Sequence, residues 1–245
     1  MIIAIDGTTS SGKGTLAKRL AAHYGLPHLD TGLLYRAVAA SAINKGIDFR
    51  DERECALLAA HVDPSEFEER ELRGAGVGAA ASVVASLGAV RRALFDLQRK
   101  FAQQAGGAVL DGRDIGTVIA PDADVKLWVD ASVEERARRR FLELSGMKED
   151  VTQHGVLEQL KERDARDAGR TDAPMKPADD AVWVDTTAMT PRLLLSCLLA
   201  GALQASPAAA EACGSYRVAF YDHGALNSRQ ADGRWRGIDT DVIEE

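Results

Sequence analysis

The sequence predicts an α/β fold in which a parallel sheet is covered by helices on both faces. Three observations predict it. Short apolar runs recur at residues 1–5, 108–110, 125–129 and 181–184, separated by stretches with helical periodicity. The first run leads directly into a glycine-rich loop and then a helical pattern. Asp111 and Asp130 follow two of the later runs, at the carboxyl ends of strands, where ligands bind in open α/β sheets. With 245 residues, 46% of them hydrophobic, the chain can bury one sizeable core with a small appended region.

The first strand runs into Asp6-Gly7-Thr8-Thr9-Ser10-Ser11-Gly12-Lys13-Gly14-Thr15, which has the pattern GxxxxGKGT. Glycines let successive N–H groups turn inward toward an anion, and the following helix adds its positive end. That geometry suits a polyphosphate, so Gly7, Thr8, Thr9, Ser10, Ser11, Gly12, Lys13, Gly14 and Thr15 form the candidate ATP-binding set. Lys13 can reach the β- and γ-phosphates, and the hydroxyl of Thr15, ahead of that of Ser11, is placed to meet Mg²⁺ or its waters. A glycine-rich turn that binds nothing is the bland alternative. The strand before, the lysine, and a helix with Leu16, Leu20, Ala17 and Ala21 on one side argue against it.

Residues 26–29 read as a further short strand. From 47 to about 92 the pattern is helical and alanine-rich, with Pro64 and glycines 74, 76, 78 and 88 as breaks, and Cys55 reads as helix core. This region reads as a short insertion. Residues 132–140 carry Glu134, Glu135, Arg136, Arg138, Arg139 and Arg140, either a solvated helix face or a source of arginines for the donor phosphates; spacing does not choose among them. Asp111 is a candidate partner for a Mg²⁺-bound water, with a turn- or helix-capping aspartate as the alternative. His23, His28, His61, His154 and His223 share no motif, and none is proposed as catalytic.

The net charge of −7 argues against a nucleic-acid-binding surface. Three cysteines without metal-ligand spacing suit a reducing compartment, and a chain that enters a strand at once leaves no room for an amino-terminal leader. A cytoplasmic protein is expected, without a membrane partner and working as a monomer.

Three further motifs stand in order behind the loop: Leu29-Asp30-Thr31-Gly32-Leu33-Leu34-Tyr35-Arg36, then Asp111-Gly112-Arg113-Asp114-Ile115-Gly116-Thr117, then Lys161-Glu162-Arg163-Asp164-Ala165-Arg166-Asp167 with Arg170. Together the four motifs resemble the bacterial cytidylate kinase family over residues 1 to about 187. The resemblance implies the P-loop nucleoside monophosphate kinase fold, with a short helical acceptor-binding insert at about 31–92 and a short lid at about 136–170. It also implies transfer of the γ-phosphoryl group of ATP, with Mg²⁺, to CMP or dCMP, with Lys13 and Arg113 catalytic. By resemblance Arg36 and Arg113 grip the CMP phosphate, with Arg170 near it. Asp114, with Thr31 and Arg91, matches the positions that read the base. Arg163 and Asp167 match ribose contacts, and Arg166 fills the remaining arginine position. The chemistry agrees, because guanidinium forks bind phosphate bidentately and a buried carboxylate distinguishes cytosine, which carries an exocyclic amine, from uracil. A kinase for UMP or AMP is the alternative and needs a different reader at position 114.

The chain departs from the family pattern in three places. Thr8, Thr9, Ser10 and Ser11 stand where relatives usually have proline and alanine after Asp-Gly, which should adjust affinity rather than identity. The stretch 61–92 lacks the strand-rich segment of many relatives, so base contacts supplied from there are in doubt. From Met189 the chain reads as a signal peptide up to about Ala210, and residues 216–241 resemble the opening of a periplasmic solute-binding protein, as at a junction of two genes. Thr190 and Pro191 can equally begin the kinase's own last helix, with Leu193, Leu194, Leu198, Leu199 and Leu203 covering the core. The expected division is a kinase domain at 1–204 and a disordered appendage at 205–245, with a secreted solute-binding module as the remote alternative.

Overall fold

The structure, a computed structural model, describes residues 1–188 together with the backbone of residues 228–229 and 235–236. In chain order the main elements are β1 (Ile2–Gly7), α1 (Lys13–Tyr24), β2 (His28–Asp30), α2 (Thr31–Asn44), α3 (Glu52–Ala59), α4 (Glu69–Arg73), α5 (Ala75–Val84), α6 (Gly88–Ala102), β3 (Ala108–Gly112), β4 (Val125–Asp130), α7 (Val133–Gly146), α8 (Gln153–Ala168) and β5 (Val182–Asp185). A one-turn π-helix, Ile115–Ile119, follows β3.

The strands form a five-stranded parallel sheet in the order β2-β3-β1-β4-β5. Because the three central strands β3, β1 and β4 are buried on both faces, they are almost continuously apolar, and this made them readable. On one face Leu16, Ala17, Leu20 and Ala21 of α1 pack against Ile3, Ile5, Val109, Leu127 and Val129. On the other, Ala4 and Leu110 meet Ile115, Ile119 and Ala102. The central strand β1 thus delivers its carboxyl end, and the loop behind it, to the middle of the molecule.

Several boundaries differ from the sequence reading. The run at 26–29 becomes a strand only from His28, although the Pro27 carbonyl already accepts from Val109 N at 2.9 Å. Asp111 and Asp130 lie inside the last residues of β3 and β4, not past them, because the ladders continue through Asp30↔Asp111 and Asp130↔Asp185. Gly76 and Gly78 are not breaks; both lie within α5. At Gly78 a Cβ would stand 3.3 Å from Arg36 Nη1, so the glycine admits guanidinium groups to the helix surface. Gly88 opens α6, whereas Gly74 does divide α4 from α5.

The insert has its own core, in which Leu34, Val38, Cys55, Ala81, Val84 and Leu94 pack together. The helices α7 and α8 join through Ala137, Leu144, Val156 and Leu160. The segments 70–75 and 140–149 touch directly. Arg70 donates to Met147 O (2.8 Å), Arg140 to Arg73 O (2.8 Å), and Ala75 N to the Glu149 carboxylate (3.0 Å). Among the described residues no single helix is long and apolar enough to cross a membrane; α5 and α6 pass such a test only as a pair bent by 96°.

The expected final helix and the signal-like and binding-protein-like segments lie outside the described residues. The exception is one antiparallel pairing of β6 (Ser228–Arg229) with β7 (Trp235–Arg236).

Candidate active site

The phosphate-binding loop leaves β1 at Gly7, whose φ is 148° and where a Cβ would stand 1.9 Å from Val129 O. Only glycine fits so close to β4. Ser10 (φ 62°) and Gly12 (φ 94°) then take left-handed conformations that turn the chain into α1. The loop is braced from within and behind: Ser11 Oγ donates to Thr8 O (3.0 Å), and Thr8 Oγ1 to Asp130 Oδ1 (2.6 Å). From beyond β5, Thr186 Oγ1 donates to Ser11 O (2.6 Å). Ser11 is fully buried and its hydroxyl is committed to this bracing, whereas Thr15 is exposed. Of the two candidate hydroxyls for a metal, only that of Thr15 faces open space.

A cavity of about 370 Å³ lies over the loop and α1. Thr9, Ser10, Gly12, Lys13, Gly14 and Thr15 form its floor. Eight basic side chains, Lys13, Lys18, Arg36, Arg73, Arg113, Arg139, Arg140 and Arg163, face three acidic ones, Asp30, Asp111 and Glu143. In a chain with a net charge of −7 this local excess of positive charge marks a site for a polyanion. The crowding shows in the titration of the groups. Burial, reinforced by Arg113, pushes Lys13 down to about 7. Burial, with Arg113 beside it, lowers Arg163 to about 9, and burial with Arg140 lowers Arg36 to about 10. Burial and the neighbouring Asp111 push Asp30 up. Each shift is one that a bound anion with its counter-cation would relieve.

Asp111 caps neither a turn nor a helix. Its Oδ1 meets His28 Nε2 at 2.7 Å, while Oδ2 lies 3.6 Å from where a Cβ on Gly14 would stand. The carboxylate therefore faces the start of α1 with one oxygen unoccupied by histidine. The Asp111 carbonyl accepts from Thr31 Oγ1 (2.9 Å).

Arg113 joins the loop to the rest of the site. Its Nη2 donates to Thr9 Oγ1 (2.6 Å), its Nη1 to Gly112 O (3.0 Å) and its Nε to Asp167 (3.3 Å). Asp167 is wholly buried among arginines, with Arg163 at 3.7 Å and Arg170 hydrogen-bonded to Oδ1. Burial alone would raise it, yet Arg113, Arg163 and Arg170 together hold it below the ordinary carboxylate range. Asp114 is paired with Arg91, whose guanidinium also donates to Ala85 O (3.2 Å) and lies 5.6 Å from the Tyr35 ring. So the structure brings Lys13, Thr15, Arg36, Asp111, Arg113 and Arg163 to one cavity, whereas Thr31, Arg91, Asp114, Asp167 and Arg170 form a paired layer that does not line it. Gly7, Thr8 and Ser11 shape the loop from beneath. A second cavity of about 280 Å³ shares Thr9, Arg140 and Arg163 with the first and runs between α5 and α8, where Arg166 donates to Ser82 Oγ (2.9 Å).

Comparison with known proteins shows the family. The family described as Cytidylate kinase matches residues 3–200. The chain belongs to the cytidylate kinase family. It is 60% identical over 188 residues to the cytidylate kinase of Methylocella silvestris, covering 76% of this chain and 87% of that one. It is 57% identical to those of Xanthobacter autotrophicus (77% of this chain, 90% of the other) and a Methylobacterium species (74% and 86%).

In this member of the cytidylate kinase family the charge run on α7 is not a solvated face. Of its four arginines only Arg138 is exposed, paired with Glu135 (2.8 Å). Arg136 is buried, donating to Ala131 O (2.9 Å) and pairing with Asp164 (2.7 Å), while Arg139 and Arg140 reach the cavity. Asp30, Arg73 and His28 are among the participants that escaped the sequence reading. Asp30 stands inside the quoted motif with Thr31 and was available there. His28 carries no local signal, since its partner Asp111 is remote in sequence; Arg73 pairs locally with Glu69 (2.9 Å), a surface i,i+4 pattern that says nothing of the cavity it also lines.

Proposed function

We infer that the protein transfers the γ-phosphoryl group of ATP to CMP or dCMP, giving ADP and CDP or dCDP. The observation that carries this reading is the cavity in which the phosphate loop meets one arginine from each of the three later motifs, Arg36, Arg113 and Arg163, in a chain of the cytidylate kinase family. Lys13 neutralises charge on the transferring phosphoryl group, and the loop N–H groups of residues 7–15 cradle the triphosphate. Arg36 and Arg113 hold the acceptor phosphate in line, with Arg163 and Arg170 behind them, and Arg139 and Arg140 close over the donor. Thr31, Arg91 and Asp114 read the base, and Arg163 and Asp167 contact the ribose. An acceptor phosphate with its second pKa near 6 is already ionised at neutral pH, so no strong general base is required.

The oxygen donors present fit a hydrated Mg²⁺ delivered with ATP: the Thr15 hydroxyl and the free Oδ2 of Asp111 face the cavity side of the loop. Bound there, the ion would supply charge on the β- and γ-oxygens. Among the described residues no group of three acidic, histidine or cysteine side chains is placed to hold a metal ion. A coupled assay with ATP and Mg²⁺ against CMP, dCMP, UMP and AMP tests the reaction; a preference for UMP or AMP would overturn it.

Asp114→Asn narrows the gap between CMP and UMP, because an amide presents a donor where the carboxylate only accepts. The ratio of kcat/KM for the two acceptors is the measurement, and an unchanged ratio removes Asp114 as the base reader. The kinase body is proposed to extend to residue 204. Support comes from the family match, which continues to residue 200, and from the edge strand β5, whose Trp183 is 51% exposed. Truncation after Gln204 leaves activity and Tm unchanged; truncation after Thr187 lowers both. Equal behaviour of the two truncations would refute that boundary, as would a loss in the longer one.

A further inference from the structure

We propose that Asp6 is a positioning residue that fixes the acceptor-binding loop against the phosphate-binding loop. Asp6 stands at the end of β1, one residue before the first glycine of the phosphate loop, and is 4% exposed. Its Oδ1 accepts from Ile115 N and its Oδ2 from Gly116 N, both at 2.8 Å. These two N–H groups open the π-helix that immediately follows Arg113 and Asp114. A short helical turn has unsatisfied N–H groups at its start, and here one carboxylate takes two of them across more than a hundred residues of sequence. Arg113 and Asp114 are thereby set on a backbone whose position is referred directly to the root of the donor loop.

The site around Asp6 is built for this purpose. A Cβ on Gly116 would press on the Lys126 side chain at 3.2 Å and stand in ordinary contact with Asp6 Oδ2 at 3.5 Å, so the carboxylate is packed closely against this turn. Burial pushes Asp6 up to about 7 while the two backbone N–H groups pull it down; Asp114 raises it further and Arg113 opposes that. The ionised form is the one that offers two acceptor oxygens, and the two N–H groups favour that form against the burial that opposes it.

The donor loop does not depend on the same bonds. Its shape is kept by Ser11 on Thr8 O, Thr8 on Asp130 and Thr186 on Ser11 O. Loss of the Asp6 clamp therefore acts on the acceptor side. The inference rests on the kinase reading above, and wild-type turnover of CMP tests that reading separately.

Asp6→Asn keeps the shape but turns an NH₂ group toward one of the two N–H donors. The expected result is a rise of about tenfold or more in KM for CMP, with KM for ATP changed by less than about twofold, on the scale of one buried hydrogen bond lost. The preference for CMP over UMP falls in parallel, since Asp114 moves with the loop. Equal rises in both KM values, or wild-type constants throughout, would overturn the proposal. Amide hydrogen exchange in the wild type gives a test that needs no variant: Ile115 and Gly116 are protected like the central sheet. Exchange at the rate of an exposed loop there refutes the clamp even if Asp6→Asn does not fold.

Discussion

Lys13→Ala lowers kcat by about 10²–10³-fold while the protein remains folded, because it removes the cation that meets charge on the transferring phosphoryl group. The side chain is suited to that loss being specific. Its Nζ makes one hydrogen bond within the loop, to Thr8 O at 3.3 Å, and the loop is braced independently through Ser11 and Thr8. Burial and Arg113 hold the ammonium down to about 7 in the free protein, so it is largely neutral at pH 8 and charged at pH 6. A triphosphate stabilises the charged form. Binding of MgATP at pH 8 is therefore accompanied by proton uptake, which fades toward pH 6 and is absent at both pH values in the alanine variant. Steady-state kinetics measures the first effect, and calorimetry in buffers of different ionisation enthalpy the second. Near-wild-type turnover by a soluble Lys13→Ala protein refutes the assignment.

Arg113→Ala lowers kcat/KM for CMP by about 10²-fold or more by a different route, release of the acceptor phosphate from its planar clamp. The affinity for MgATP changes little. This guanidinium bridges Thr9 and Asp167, so its removal also withdraws one of the three arginines around a fully buried carboxylate. Some stability is lost with it, since an under-compensated buried charge is costly. Arg113→Lys separates the two effects. It retains the charge beside Asp167 and most of the Tm, yet not the fork, so its kcat/KM stays close to that of the alanine variant. A lysine variant with wild-type kinetics would show that charge alone suffices.

The parallel sheet was legible because its central strands are apolar on both faces, and the phosphate loop because its glycines, lysine and threonine lie within ten consecutive residues. Strand ends were less so. Asp111 and Asp130 are polar, so the pattern stops before the hydrogen-bonded ladder does. Arg36, Arg113 and Arg163 were legible through the family's motifs, and the structure gathers them at one cavity. What spacing could not show is how guanidinium groups divide their work. Arg136 and Arg139 are three apart on one helix, yet one is spent on Asp164 and the other faces the cavity, a difference decided by α8 and β5, which arrive from elsewhere in the chain. Asp6 escaped notice for the same reason: its partners are N–H groups, which no side-chain pattern records.

The latches between insert and lid are made largely by a side chain on one part and a main-chain atom on the other: Arg70 on Met147 O, Arg140 on Arg73 O, Glu149 on Ala75 N. A contact that reads the backbone is indifferent to which residue occupies the partner position. Leu72, whose carbonyl takes the Arg36 guanidinium at 2.6 Å, illustrates the same economy on the acceptor side. Sequence drift at 147 thus leaves its latch intact without a compensating change across the cleft, provided the helical path is kept, whereas Leu72 and Ala75 are held by core packing as well. The arginines and Glu149 are held to their identity, so the two segments that these latches join can diverge from one another with little mutual constraint.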